Sequence, residues 1–132
     1  MAKYVYPAIF SPSEDGGFIV SFPDVSGCYT EGDTLAEAIE QAKDALCLML
    51  YDLEEREESI PVPTSINDVV TESGDIVSLV ACDTLEYRKF FDKKAVKKTL
   101  TIPNWLNTMA ERADINFSAA LQEALIEKLH IN

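Results

Sequence analysis

At 132 residues the chain is long enough for one ordinary domain, or for a small domain joined to a module that borrows core from a partner. Hydrophobic residues at 47% and charged residues at 26% exclude a disordered polymer, and no run approaches the ~18 uninterrupted apolar residues of a membrane span. The net charge of −12 gives most of the chain a surface that repels nucleic acid.

Residues 3–10 (KYVYPAIF) are rich in aromatic and β-branched types and predict a strand, with Pro7 pointing to an edge or a bulge. SPSEDGG is a dense turn signal, and Phe18 to Phe22 (FIVSF) predicts a second strand in an antiparallel hairpin. Pro23 stops it, and Cys28-Tyr29-Thr30 predicts a short third strand after Gly27. Thr34-Leu35-Ala36-Glu37 is a capping box: the threonine hydroxyl can accept from the amide three residues on, and Glu37 can reach back. Behind it Leu35, Ala38, Ile39, Ala42, Leu46, Met49, Leu50 and Leu53 recur at three- and four-residue steps, the stripe of a long amphipathic helix. That helix runs out in Glu54-Glu55-Arg56-Glu57-Glu58, a solvated end. Ile60-Pro61-Val62-Pro63 is an extended connector. Asp75 to Cys82 (DIVSLVAC) predicts a buried fourth strand. Residues 1–82 therefore form an α+β domain of order β-β-β-α-β, and 83–96 form a linker whose Tyr87, Phe90 and Phe91 are expected to pack.

From residue 97 the pattern changes. Lys97 to Ile102 alternates, with Leu100 and Ile102 on one face and Lys97, Thr99 and Thr101 on the other, before Pro103 ends the strand. A helix from about Asn104 to Ala113 carries Trp105, Leu106, Met109 and Ala110. Asp114-Ile115-Asn116 breaks it, and Ser118 is the expected cap of a second helix from about Ala119 to Leu129. One strand and two short helices cannot bury a core alone. Pairing this strand with its copy on a second chain would give a two-stranded ribbon over four helices, a shape that fits the DNA major groove. Lys97, Thr99 and Thr101 would face the bases, Lys98 the backbone, and the amides near Ser118 and Ala119 would suit a phosphate. The other arrangement open to this pattern is a strand that joins the main sheet, leaving a helical hairpin as the dimer interface.

Charge divides the chain earlier, within 83–96. Residues 1–87 hold three basic residues (Lys3, Lys43, Arg56) against 18 acidic ones, net −15, and residues 88–132 hold eight basic against five acidic, net +3. An acidic body attracts a basic protein, and a basic module can sit on a phosphate backbone. Cys28, Cys47 and Cys82 are odd in number and widely spaced, which excludes a disulfide framework or zinc site and indicates a reducing compartment. The start, MAKYVYPAIF, lacks the apolar run of a signal peptide, so a cytoplasmic location is expected.

Two stretches carry a family resemblance. Phe22-Pro23-Asp24-Val25-x-Gly27-Cys28-x-Thr30-x-Gly32-Asp33-Thr34-x-x-Glu37-Ala38, with the Ala-rich helix behind it, resembles the N-terminal domain of HicB-family antitoxins. KKTLTIPNWLN and INFSAALQEAL resemble the ribbon-helix-helix end of the same family, except that Asp114 stands where a glycine often ends the first helix. The resemblance implies a partial RNase H-like fold for the front domain and a small basic partner, HicA, an mRNA-cleaving ribonuclease whose site the antitoxin masks. It also implies repression of the antitoxin's own operon through operator DNA. A dimer through the C-terminal module follows, and a second dimerising surface on the body would make a tetramer. Phe22, Asp24, Tyr29, Glu31 and Asp33 are the expected toxin-facing residues, since the acidic motif lies there.

Neither an enzyme nor a cofactor is expected. Two-metal nuclease chemistry needs several converging carboxylates, and the spacing of Asp24, Glu31 and Asp33 shows no convergence. His130, the lone histidine, has no neighbouring partners for a metal set or triad. Gly16-Gly17 is a turn rather than a phosphate loop, as no GxxxxGK pattern follows. The alternative to an antitoxin is a stand-alone ribbon-helix-helix regulator whose acidic domain senses a ligand or only oligomerises.

Overall fold

The structure, a computed structural model, describes residues 2–131, so Met1 and Asn132, the outer limits of the two expected domains, lie outside it. It divides into two compact units, Met1–Lys94 and Ala95–Asn132. The first holds β1 (Lys3–Pro12), β2 (Phe18–Ser21), β3 (Tyr29–Gly32), α1 (Leu35–Glu55), a short 3-10 turn (Ile66–Asp68), β4 (Ile76–Asp83) and α2 (Thr84–Phe91). The second holds α3 (Asn104–Arg112) and α4 (Phe117–Lys128).

The four strands make one antiparallel sheet in the order β3-β2-β1-β4. Alternation sends Tyr6, Ala8 and Phe10 of β1, Val20 of β2, and Val80 and Cys82 of β4 into the core. Ala38, Ala42, Leu46 and Leu50 of α1 close over them, all completely buried. The capping box forms its expected contact, with the Thr34 hydroxyl accepting from the Glu37 amide at 3.1 Å. Gly32 is where β3 meets this helix: a Cβ there would lie 2.4 Å from the Ala38 nitrogen, so only glycine fits.

Three expectations shift in the first unit. The fourth strand, expected to be buried, is an edge strand covered on one face, so Val80 and Cys82 are buried while Ile76 and Leu79 on its other positions are exposed. The third strand begins at Tyr29, because Phe22, Val25 and Cys28 are held in a tight turn; the Phe22 amide donates to the Cys28 carbonyl, and the Val25 amide to Phe22. Residues 84–91 of the expected linker form α2. Asp83 caps it, its carboxylate accepting from the Leu85 and Glu86 amides at 3.0 and 3.2 Å. Of its three aromatics only Tyr87 packs on the body as expected, 5.2 Å from the Tyr51 ring; Phe91 stacks 4.5 Å from Tyr87, but Phe90 and Phe91 stay largely in solvent.

A polar knot ties α2 to α1. The guanidinium of Arg88 pairs with Glu54 at 3.2 Å and also with Glu55, and lies 4.6 Å from the Tyr51 ring centroid. Glu54 accepts in addition from Tyr4 Oη at 2.9 Å and from Thr84 Oγ1 at 2.8 Å. The Arg88 and Glu54 side chains are only 12% and 9% exposed. Burial raises the Glu54 carboxyl, but the hydrogen bonds it accepts, those from Thr84, Tyr4 and Arg88 among them, outweigh it and hold the group below its ordinary value. Burial, then the Glu54 contact, pushes the Tyr4 phenol up to about 12.

The second unit has no interior of its own. No described residue in 95–131 is buried, and Trp105, Met109 and Leu129 are 63–66% exposed. The strand expected at Lys97–Ile102 is not formed within the chain: residues 92–103 carry no regular structure, since a strand exists only against a partner strand. Both helices end in left-handed caps. Asp114 has φ 55°, with its amide donating to Glu111 and the Ile115 amide to Ala110; His130 at φ 56° ends α4 in the same way. Asp114 therefore occupies the conformation a glycine would take, which aspartate tolerates.

Removing the knot should loosen α2. Arg88→Ala removes one charged partner of the nearly buried Glu54 and the contact with Glu55, and should cost ~1–3 kcal/mol in urea unfolding. The wild type should hold its full stability above the ordinary glutamate range and lose the Glu54 share as pH falls through the depressed folded value. A flatter acid limb in Glu54→Gln than in wild type checks the assignment.

Candidate functional site

The body and the module each present surfaces that the sequence singled out. On the body, the expected toxin-facing residues separate into three kinds. Phe22 is 4% exposed and packs in the core, so it offers no surface; it shares the inward face of Val20 two residues earlier. Asp24 is committed to the fold. Its two carboxylate oxygens accept from the Thr64 amide at 2.9 Å and the Thr64 hydroxyl at 2.5 Å, pinning the connector that follows α1 to the turn after β2. Tyr29, Glu31 and Asp33 are exposed, Tyr29 by 70%.

The acids do not converge as a nuclease would require. Asp24 lies beyond the Ser21–Tyr29 end of the β2–β3 pair, and Glu31 and Asp33 lie toward the opposite, Phe18–Gly32 end. No cluster of three or more His, Cys, Asp or Glu placed to hold a metal exists among the described residues. What does converge is a second set. The β1–β2 hairpin brings Glu14 and Asp15 beside Glu31 and Asp33 around an open concavity of about 500 Å³, with Gly17 and Gly32 in its wall. The walls touch closely there, since a Cβ on Gly17 would lie 2.7 Å from the Gly32 carbonyl oxygen. Hydrogen bonds from the Ser13 hydroxyl and the Gly17 amide lower the Asp15 carboxyl, so it stays charged. Sequence reasoning misses Glu14 and Asp15 because a hairpin of unspecified register places them.

The three thiols are free and buried. Burial pushes Cys28 up to about 11, and Cys82 is raised by its hydrogen bond to Cys47 and by burial. Neither is a ready nucleophile.

On the module, Lys97, Lys98, Thr99 and Thr101 are exposed in the segment leading to α3. Ser118 is not the cap of α4. Asn116 is, its side chain accepting from the Ala119 amide at 3.0 Å, and the Ser118 hydroxyl instead accepts from Gln122 at 3.2 Å. The Ala119 amide is therefore already engaged. Asparagine caps as well as serine, and the helix begins earlier than the serine suggests. No described helix is long and apolar enough to cross a membrane.

An acidic two-layer body joined to a helical unit that lacks a core describes a protein built for binding. Comparison with known proteins narrows this. The model of the HicB-like antitoxin family of bacterial toxin–antitoxin systems matches residues 6–124, and the chain belongs to that family. It is 38% identical over 89 residues to antitoxin HicB 1 of Photorhabdus laumondii, covering 67% of this chain and 56% of that protein. To antitoxin HicB of Escherichia coli K12 it is 44% identical over 62 residues, 47% of this chain and 45% of that one. The chain thus spans about half the length of these curated relatives. A chain from a Streptococcus pneumoniae toxin–antitoxin complex superposes with a TM-score of 0.61 at 28% identity, covering 96% of this chain and 99% of that one.

Asp24 is thus a fastener. Asp24→Ala should free the connector, raise limited-proteolysis cleavage within 61–75, and cost ~1–2 kcal/mol. Unchanged cleavage would mean that Thr64 is held by something else.

Proposed function

We propose that this protein is an antitoxin whose acidic body binds and silences a small basic, mRNA-cleaving toxin of the HicA type. Its C-terminal unit, paired with that of a second copy, binds operator DNA as a ribbon-helix-helix module and represses the operon. The family match carries the first half. The body's charge supports it, since a basic ribonuclease is drawn to an acidic surface. On this reading the front domain is a partial RNase H-like fold used for binding, and the chain itself catalyses nothing.

The second half rests on the missing core. A unit with Trp105, Leu106 and Met109 in solvent gains apolar burial only from outside itself. A second copy supplies that burial and supplies the strand that Lys97–Ile102 needs. The paired strands then present Lys97, Thr99 and Thr101 outward with Lys98 at the phosphates. The two amides that open α4, those of Phe117 and Ser118, precede the amide engaged by Asn116 and suit a phosphate better than Ala119 does.

Co-expression with the small basic protein encoded beside it should yield a stable complex and restore growth; no complex and no rescue would sink the antitoxin reading. In a gel-shift titration on the upstream operator, Thr99→Ala and Thr101→Ala should each relax base preference by ~1–3 kcal/mol. Lys98→Ala should weaken all sequences alike and lower the salt slope by roughly one for each phosphate left without its lysine. If operator binding survives all three substitutions unchanged, the ribbon is not the reader.

A further inference from the structure

The sheet has two faces and α1 covers one. Cross-strand partners share a face, so the register defines the other face row by row. One row runs Val77–Ile9–Ser21–Tyr29 and the next Ser11–Ile19–Glu31. The solvent side of an antiparallel sheet is ordinarily polar. Here Ile19 is 49% exposed and Tyr29 70%. These mixed rows, apolar at Ile9, Val77, Ile19 and Tyr29, end at β3, an edge strand, and at the corner where Glu14, Asp15, Glu31 and Asp33 surround the concavity.

We infer that this outer face of β2 and β3, with its acidic corner, is the docking surface for the basic partner. The inference rests on the antitoxin reading; of the residues expected from sequence it keeps Tyr29, Glu31 and Asp33, leaves out Phe22 and Asp24, and adds Ile19, Glu14 and Asp15. Charge selects the occupant. Residues 1–87 carry net −15, so a second copy placed here would set acid against acid, whereas a basic protein brings the opposite sign to the same corner. Apolar contact over Ile19 and Tyr29 supplies the desolvated centre, and the carboxylates form a charged rim that receives lysine or arginine side chains. Gly17 and Gly32, packed backbone to backbone, hold that rim in place before the partner arrives.

The test uses the full chain and the purified small basic protein encoded beside it, with affinity measured by calorimetry. Ile19→Arg and the double change Glu31→Lys with Asp33→Lys should each weaken binding roughly tenfold or more. Their melting temperatures should match wild type, since all three side chains are exposed. Val70→Arg, at a site 90% exposed on the connector, should bind as wild type does. Rising salt should weaken wild-type binding and have a smaller effect on the Glu31→Lys, Asp33→Lys variant. If wild type binds and the variants bind equally well, the surface is wrong and the antitoxin reading stands. If wild type does not bind at all, both fall. If Ile19→Arg alters the mass of the free protein by light scattering, a second copy occupies the face and the inference is overturned.

Discussion

Everything in the body depends on how closely α1 can lie on one side of the sheet. Gly32 at the end of β3 and Ala38 and Ala42 on the helix remove the side chains that would hold the two layers apart. Tyr6, Phe10, Leu46 and Leu50 then fill the gap between layers. Because one helix covers one face, the other face remains available, and its residues answer to a different constraint from the core. The close approach also fixes the corner where β3 hands over to α1. The acidic rim stands on the same backbone contacts that close the core.

The polar knot at the far end of α1 extends the same layer. Glu54 joins β1 through Tyr4, the start of α2 through Thr84, and the middle of α2 through Arg88. The hydrogen bonds this carboxylate accepts favour its charged form despite burial. The run of glutamates at the end of α1 is therefore not uniform: Glu54 is a structural anchor, and Glu57 and Glu58 are solvated.

Short-range patterns are legible in the sequence and long-range ones are not. The Thr34 capping box, the α1 stripe and the alternation of β1 each follow from neighbours within a few residues. The alternation Phe18, Val20, Phe22 also contains the signal that Phe22 faces inward, but the family motif draws it to the surface. The start of α2 is readable too, from Asp83 ahead of an aromatic-rich turn, and is hidden by the charge switch that makes 83–96 read as a linker. By contrast, Asp24 is held by Thr64, 40 residues away, and the acidic corner needs a hairpin register to assemble. A short acidic motif does not reveal which of its carboxylates the fold has already used. The cap of α4 falls two positions from the expected one because Asn116 and Ser118 are both good caps, and only the hydrogen bond separates them.

The two units fold under different laws. The body encloses its own core, so its stability is a property of one chain. The C-terminal unit encloses none, and on the proposed reading its folding is tied to the concentration of a second copy by mass action. Toxin binding would then persist at protein levels where the DNA-binding unit comes apart. Falling antitoxin would release the operator before it releases the toxin, and the operon would be transcribed again while the remaining antitoxin still held its partner. On that reading, a self-sufficient binding body beside a module that requires a partner would order the two events within one chain.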